Sequence, residues 1–276
     1  MFEHPLAQIT DAKTFDDQDR AVMQLAVQET FQRMDDEHAA TLSGSPVRID
    51  SSGGIMEFFA RFYSPIDRVG YIFSLNQDAL AERLPGLWAG VPFAVPGVQY
   101  LPSTSPLPFG TPPLVAPAKP DLGNRRLDGN LNYIKLHGSF LWRPEDGSPG
   151  MVLGGGKLIA IGRSPLLTTY HSLFEQVLCA GDVRLFVIGY GFQDDHINRT
   201  IATAVQGFDA RIFVWDKQNP LELLKEVPIR EPAFPRRTID LRPYLCGAAS
   251  RSMAEVFPWA RHPTPEYARI ESSFFS

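Results

Sequence analysis

The chain has 276 residues, 44% of them hydrophobic and 21% charged, and this composition excludes a wholly disordered protein. A formal net charge of -5 disfavours broad contact with nucleic-acid phosphates, so direct nucleic-acid binding is not expected. Two cysteines are too few for a disulfide framework or a four-cysteine zinc site. We therefore expect no bound metal and a cytoplasmic location. The sequence shows no secretory signal and no apolar run of about 20 residues, which predicts a soluble protein without membrane contact.

Two helices are predicted before the first strand. Apolar residues at helical spacing predict a helix from about Asp16 to Ala39, and a loop rich in Ser, Gly and Pro follows at 40–54. A short, largely buried helix is predicted over Ile55 to Tyr63. It is expected to end before Pro65, because the residue that precedes a proline disfavours helical backbone.

Four short apolar runs, typical of buried strands, alternate with helical patterns farther along the chain. The runs are Val69–Leu75, Leu131–Leu136, Val183–Ile188 and Ala210–Trp215. Helices are predicted from about Pro165 to Ala180 and from about Asp195 to Val205. This alternation predicts right-handed crossover connections, a parallel sheet and an α/β fold.

Residues 85–120 stand apart because ten of these 36 positions are proline, which excludes a regular helix or a central strand. Two interpretations stay open: a surface excursion partly ordered by packing, or a lid or partner-docking insert. An irregular segment is predicted over 228–276. Its mixture of arginine and aromatic residues is compatible with contact to nucleic acid or to a partner protein. Acidic residues interrupt the positive charge, which favours a subunit interface or a packed tail over nucleic-acid contact. We expect a single domain over residues 1–276.

Three polar segments follow predicted strands, where ligands bind in open α/β sheets. They are Ser74–Asp78, Lys135–Ser139 and Ile188–Asn198. Taken alone, each has an ordinary structural interpretation: a turn with a helix cap, a half-buried histidine with its hydrogen bonds satisfied, and a tight strand-to-helix turn. The function is indicated by their combination and order.

In that order the segments resemble the sirtuin superfamily, specifically its bacterial sirtuin-like defence branch. Ser74–Asp78 (Ser-Leu-Asn-Gln-Asp) is similar to the family's Thr-x-Asn-x-Asp segment, and Lys135–Ser139 (Lys-Leu-His-Gly-Ser) to its catalytic histidine segment. Gly189–Asn198 resembles the Gly-Tyr-Ser-Phe and Asp-x-His-Ile-Asn signature of that branch. The resemblance covers roughly residues 66–216.

The resemblance implies a Rossmann-like sheet flanked by helices, without a zinc ribbon, that binds NAD as a substrate. Asn76 would position the ribose and the attacking water, and Asp78 would contact nicotinamide or shape its pocket. His137 would be the general base, a task that suits an imidazole, whose ordinary pKa is about 6.5.

The remaining NAD-binding residues implied by the resemblance are Ser74, Gly189, Tyr190 and Phe192. Gly189 would let the backbone approach the adenosine ribose closely, because glycine has no side chain.

The activity implied by the resemblance is that of an NAD glycohydrolase, a hydrolase that releases nicotinamide and ADP-ribose. The family's role is antiviral (antiphage) defence by NAD depletion. Such proteins form homo-oligomers or act beside a second component, such as a helicase-like ATPase or a short Argonaute.

The family's Gly-Ala-Gly-type phosphate loop is not found near the N-terminus. Ser51–Ile55 is a weak substitute, because no predicted strand precedes it. An alternative is therefore a non-catalytic nucleotide-binding or scaffold subunit of a defence complex. A third hypothesis, an NAD-dependent protein deacylase, is disfavoured because two cysteines cannot form the zinc site that such enzymes usually carry.

Overall fold

The structure is a computed structural model that describes residues 22, 25–27, 29–37, 57–79, 91–98, 127–144, 150–154, 156–230, 237–257 and 264–275. It divides into two compact units, Met1–His171 and Ser172–Ser276, which we treat separately. The prediction of one domain over the whole chain stays a prediction.

The first unit contains a four-stranded sheet in the order β1-β2-β4-β3. Its strands are β1 (Tyr63–Ser64), β2 (Val69–Ser74), β3 (Phe93–Ala94) and β4 (Asn130–Lys135). The central strands β2 and β4 are parallel, β3 runs parallel to β4, and β1 runs antiparallel to β2. The two central strands correspond to the first two apolar runs of the sequence, which confirms both.

The start of this sheet differs from the predicted helix over Ile55 to Tyr63. Residues 57–60 are helical, but the chain then turns, and Tyr63 already belongs to β1. Gly70 on β2 allows this close approach, since a Cβ atom there would lie 2.3 Å from the Phe62 carbonyl oxygen. Helix propensity gives way here to pairing with β2.

Aromatic and aliphatic side chains pack around Leu131, near the start of β4. Leu131 is fully buried. The partly buried residues packed against it are Phe59, Phe62, Tyr63, Ile72, Val91 and Phe93. This packing holds the only part of the proline-rich insert that the structure describes, 91–98, at the sheet edge. An edge is where a proline such as Pro92 is tolerated, because no ladder N–H is needed there. The choice between the two interpretations of the insert stays open, because most of it lies outside the described residues.

Helices α1 (Lys157–Gly162) and α2 (Pro165–Leu178) follow the sheet of the first unit, whose boundary falls within α2. Tyr170 on α2 is fully buried, packs edge-on against Trp142 with ring centroids 6.2 Å apart, and donates its hydroxyl proton to the Pro96 carbonyl. The described residues of 22–37 are also helical. There the Phe31 ring stacks on Phe140 at 5.6 Å, whereas Leu25 is 57% exposed.

The second unit contains a parallel three-stranded sheet in the order β5-β6-β9. The strands are β5 (Arg184–Ile188), β6 (Arg211–Trp215) and β9 (Leu245–Ala249). Helix α3 (Asp195–Gly207) connects β5 to β6. A short helix α4 (Pro220–Leu223) and an antiparallel pair, β7 (Val227–Ile229) with β8 (Arg237–Ile239), come before β9.

The sequence pattern predicts an irregular C-terminal segment, but the described part of this segment is regular. Besides β8 and β9 it contains a 3-10 helix (Arg242–Tyr244), α5 (Met253–Val256) and α6 (Pro265–Phe275). Strand β9 has the sequence Leu-Cys-Gly-Ala-Ala, which lacks the β-branched residues typical of strands, and it forms by pairing with β6. Gly247 makes this pairing possible, since a Cβ atom there would lie 2.5 Å from the Phe213 ring.

Each unit combines helices with a sheet that contains parallel strands, which establishes a mixed α/β fold. The predicted parallel pairing is confirmed for β2 with β4 and for β5 with β6. The four predicted strands belong to two sheets and not to one parallel sheet, and the first of these sheets is mixed because β1 pairs antiparallel with β2. Among the described residues, every helix is too short or too polar to cross a lipid bilayer.

Candidate functional site

Two of the three polar segments of the sequence lie side by side in the first unit. Strands β2 and β4 are paired so that Ser74, the last residue of β2, is opposite Lys135, the last residue of β4. The Leu136 amide continues the ladder and donates to the Ser74 carbonyl at 2.9 Å. Asn76 and His137 therefore follow neighbouring strands at the same edge of the sheet, as the α/β pattern predicts.

The loop after β2, residues Asn76–Asp78, is shaped by Ser74. The backbone amide of Asn76 donates to the Ser74 hydroxyl at 3.1 Å, which turns the chain directly after the strand. Asn76 is exposed, Asp78 is half-buried and Gln77 is buried. Of the two site residues in this loop, Asn76 is thus the more accessible to a ligand.

The turn after β4 carries His137, which is fully buried. Its backbone carbonyl accepts the Val152 amide at 2.9 Å, and the preceding Leu136 carbonyl lies 2.9 Å from Nε2 of His171 on α2. Gly138 closes the turn with φ of 74°, and its amide donates to the Lys135 carbonyl at 3.0 Å. The histidine backbone is therefore held on both sides.

Glycine is required after His137 for two reasons. A positive φ is costly for a residue with a side chain. In addition, a Cβ atom at Gly138 would lie 2.2 Å from the Gly150 carbonyl oxygen. The Ser139 amide donates to that same carbonyl at 3.0 Å, so the close approach is part of the turn.

A buried lysine joins the two loops. Lys135 is fully buried, and its ammonium donates to the Asp78 carbonyl and, at 3.2 Å, to the Ser139 hydroxyl. The Gln77 carbonyl accepts the Phe140 amide at 3.1 Å and the Ser139 hydroxyl at 3.4 Å. Gln77 also donates its side-chain amide to the Val152 carbonyl at 3.0 Å.

The third polar segment lies in the second unit, after β5. Gly189 is exposed, has φ of 62°, and donates its amide to the Trp215 carbonyl at 2.9 Å. Phe192 is fully buried although its φ of 54° lies in the left-handed region, which is unusual for a bulky residue. The Tyr190 and Phe192 rings are in contact, with centroids 4.8 Å apart.

Asn198 on α3 holds this loop in place. Its side-chain NH2 group donates to the Phe192 carbonyl at 2.9 Å and to the Pro228 carbonyl at 2.8 Å. Its Oδ1 accepts the Tyr190 hydroxyl proton at 2.7 Å. Asn198 is fully buried, and its bond to the Phe192 carbonyl is buried as well, so this bond fixes the backbone at the strained Phe192.

The predicted site residues thus fall into two groups. The first group lies at the carboxyl ends of β2 and β4 in the first unit and consists of Ser74, Asn76, Asp78 and His137. The second group lies in one loop of the second unit and consists of Gly189, Tyr190 and Phe192. The roles of Lys135 and Asn198 were missed by the sequence analysis. Each could have been recognised as a polar residue at a position where the pattern calls for an apolar one. Lys135 is the last residue of a buried strand, and Asn198 lies on the buried face of a helix.

The substitute phosphate segment Ser51–Ile55 lies outside the described residues. Neither a protein-family model nor a curated protein matches the chain. The likeness to sirtuins therefore depends on the three segments themselves.

Proposed function

We propose that the chain is a sirtuin-like NAD glycohydrolase with Rossmann-like architecture, which hydrolyses NAD to nicotinamide and ADP-ribose. The observation that carries the proposal is the parallel pairing of β2 with β4, which brings the Asn76 loop and the His137 turn to one sheet edge. In open α/β sheets this edge is where ligands bind.

The proposed reaction is a displacement at C1′ of the nicotinamide ribose. The bond between C1′ and the nicotinamide nitrogen breaks, and nicotinamide leaves as a neutral molecule. A water oxygen bonds to C1′, and its proton passes to the His137 imidazole. Because the ribose carries positive charge in the transition state, the site must orient the sugar and the water while excluding other nucleophiles.

The exposure of the site residues in the first unit fits the roles proposed for them. Asn76, with its exposed amide, would orient the ribose and the water, while the half-buried Asp78 would contact the nicotinamide carboxamide. Ser74 would act indirectly, because its hydroxyl shapes the Asn76 turn. His137 is buried, so as a base it would be shielded from bulk water.

For the second unit we propose contact with the adenosine side of NAD. The exposed Gly189 leaves its backbone open to a sugar, since among the described residues no heavy atom apart from its chain neighbours lies within 4 Å of the position of an added Cβ. Tyr190 and Phe192 would border the ribose, in a loop that Asn198 holds in a single conformation.

The biological role that goes with this activity is antiphage defence by NAD depletion in the cytoplasm. We propose that the protein acts as a homo-oligomer or beside a helicase-like ATPase or a short Argonaute. Cys179 and Cys246 are both free thiols, which suits a reducing compartment.

A non-catalytic nucleotide-binding or scaffold subunit is the second candidate function. The observation that favours it is the lack of a Gly-Ala-Gly phosphate loop in the sequence. It predicts weak or no NAD turnover, whatever partner is present.

Product analysis separates the two candidates. Purified protein incubated with NAD is expected to release nicotinamide and ADP-ribose in equal amounts, measured by liquid chromatography with mass detection. The Asn76→Ala variant should lose about 100-fold or more in kcat, because the ribose and the water are no longer oriented. Binding of NAD without either product favours the scaffold candidate, and equal turnover by both proteins contradicts the role of Asn76.

A further inference from the structure

Lys135 is an unusual residue for its position. It ends the buried strand β4, and none of its surface is exposed. Lysine is almost never fully buried unless its ammonium is paired, because removing the charge from water is costly. A well-packed apolar residue of similar volume is often as good for stability as a buried charge. Stability alone therefore does not explain a lysine here.

Two hydrogen-bond partners of this ammonium among the described residues lie on different loops. One is the Asp78 carbonyl, two residues after Asn76, and another is the Ser139 hydroxyl, two residues after His137. The Ser139 hydroxyl in turn faces the Gln77 carbonyl at 3.4 Å. A single ammonium, with donors that point in several directions, thus joins the loop after β2 to the turn after β4.

We propose that Lys135 is a positioning residue, whose buried ammonium fixes the Asn76–Asp78 loop relative to the His137 turn. Its consequence for NAD cleavage rests on the proposed function, whereas its consequence for the two loops does not. A displacement of about 1 Å between reacting groups lowers a rate by about 100-fold, so the ammonium matters for the reaction without touching the substrate.

The first test measures the two loops without reference to activity. The Lys135→Met variant keeps a side chain of similar length and removes its charge. In this variant, hydrogen exchange at the Phe140 backbone amide should be about 10-fold faster or more, because the hydrogen bond from that amide to the Gln77 carbonyl loosens. Exchange at Ile134 inside β4 should not change. Lys217→Met, which removes an exposed lysine, is the matched control and should leave both amides unchanged.

A spectroscopic signature accompanies the exchange measurement. With 15N labelling, the wild-type protein should give a slowly exchanging lysine ammonium resonance, which is lost in Lys135→Met and kept in Lys217→Met. Unchanged exchange at Phe140 in Lys135→Met would overturn the proposal. If that variant does not fold, Ser139→Ala keeps the lysine and removes one acceptor. It should then accelerate exchange at Phe140 and shift the ammonium resonance, and failure to do both would overturn the proposal equally.

The kinetic test uses the same variants. We expect Lys135→Met to lower kcat by about 100-fold with little change in KM, since NAD contacts are kept and only the placement of the reacting groups is lost. In an Asn76→Ala background the same substitution should cost much less, because both act through one loop. A kcat within about twofold of wild type would overturn the positioning role. A wild-type protein without turnover would instead contradict the proposed function, and the exchange measurement would still decide the role of Lys135.

Discussion

Tyr190 donates its hydroxyl proton to Oδ1 of Asn198 at 2.7 Å, eight residues farther along the chain. The same asparagine donates to the carbonyl of Phe192, whose φ of 54° is strained. One buried amide therefore stabilises a backbone conformation that the chain would not adopt by itself. In the proposed function, this loop presents Gly189 to NAD.

The Asn198→Ala variant should be destabilised by about 2–4 kcal/mol, because two carbonyls and one hydroxyl lose a buried partner. Denaturation with urea, followed by circular dichroism, measures the change. Gln193→Ala is the matched control from the same loop, since its side-chain amide is exposed and bonds only locally. The control should stay within about 0.5 kcal/mol of wild type. Equal stability of the two variants would argue against the role assigned to Asn198.

The Gly189→Ala variant tests the adenosine contact. Its fold should survive, because the added Cβ meets no atom within 4 Å and only the positive φ is penalised, by about 1 kcal/mol. The NAD dissociation constant, measured by calorimetry, should rise about 10-fold or more, because the methyl group would occupy the place proposed for the ribose. Gly181→Ala also has a positive φ and open surroundings, and it should bind NAD as wild type does. Equal binding by the two variants would remove Gly189 from the NAD site.

Gly138→Ala should be far more damaging than its conformation alone predicts. Both Gly138 and Gly156 have a positive φ, 74° and 71°, so alanine costs about 1 kcal/mol at either. At Gly138 the methyl group also lies 2.2 Å from the Gly150 carbonyl oxygen, whereas at Gly156 it has no neighbour within 4 Å among the described residues outside the adjoining chain. We expect the stability difference between the two variants to exceed about 2 kcal/mol in urea denaturation. A difference near zero would show that the His137 turn can move freely.

The Asp240 carboxyl should titrate at unusually low pH. Hydrogen bonds from the Arg242 guanidinium, and then from its backbone amide, lower the pKa of Asp240 from 3.8 to about 2. Because the folded pKa is depressed, the stabilising contribution is complete above pH 3.8 and is lost as the pH falls through about 2. Carbon-13 NMR of the carboxyl measures this. Arg242→Gln should return the pKa towards its ordinary value, and Arg251→Gln should not.

The longer elements were predictable because their sequences carry their own signal. Strand β4 (Asn130–Lys135) and helix α2 (Pro165–Leu178) lie within about two residues of their predicted bounds. Two strands carry no such signal, one because it has only two residues and the other because it lacks β-branched residues. β3 (Phe93–Ala94) and β9 (Leu245–Ala249) form only because a neighbouring strand offers its hydrogen-bonding edge, which no local pattern reveals.

The candidate site was predictable at the level of segments and not at the level of contacts. That Asn76 and His137 would each follow the carboxyl end of a strand came from the alternation of strands and helices, whereas the pairing of those two strands did not. That Lys135 lies opposite Ser74 and reaches Asp78 depends on the register of β2 against β4. Register is set by packing across the whole sheet, so a short motif cannot specify it.

Nicotinamide release from NAD, measured on the wild-type protein and on His137→Ala at high protein concentration, tests the central claim most directly. The wild type should release nicotinamide, and the variant should be slower by about 100-fold or more, as expected when a general base is removed. Circular dichroism and NAD calorimetry on both proteins ensure that the comparison is made between folded proteins that bind substrate. Release of nicotinamide at equal rates by the two folded, NAD-binding proteins would contradict the account.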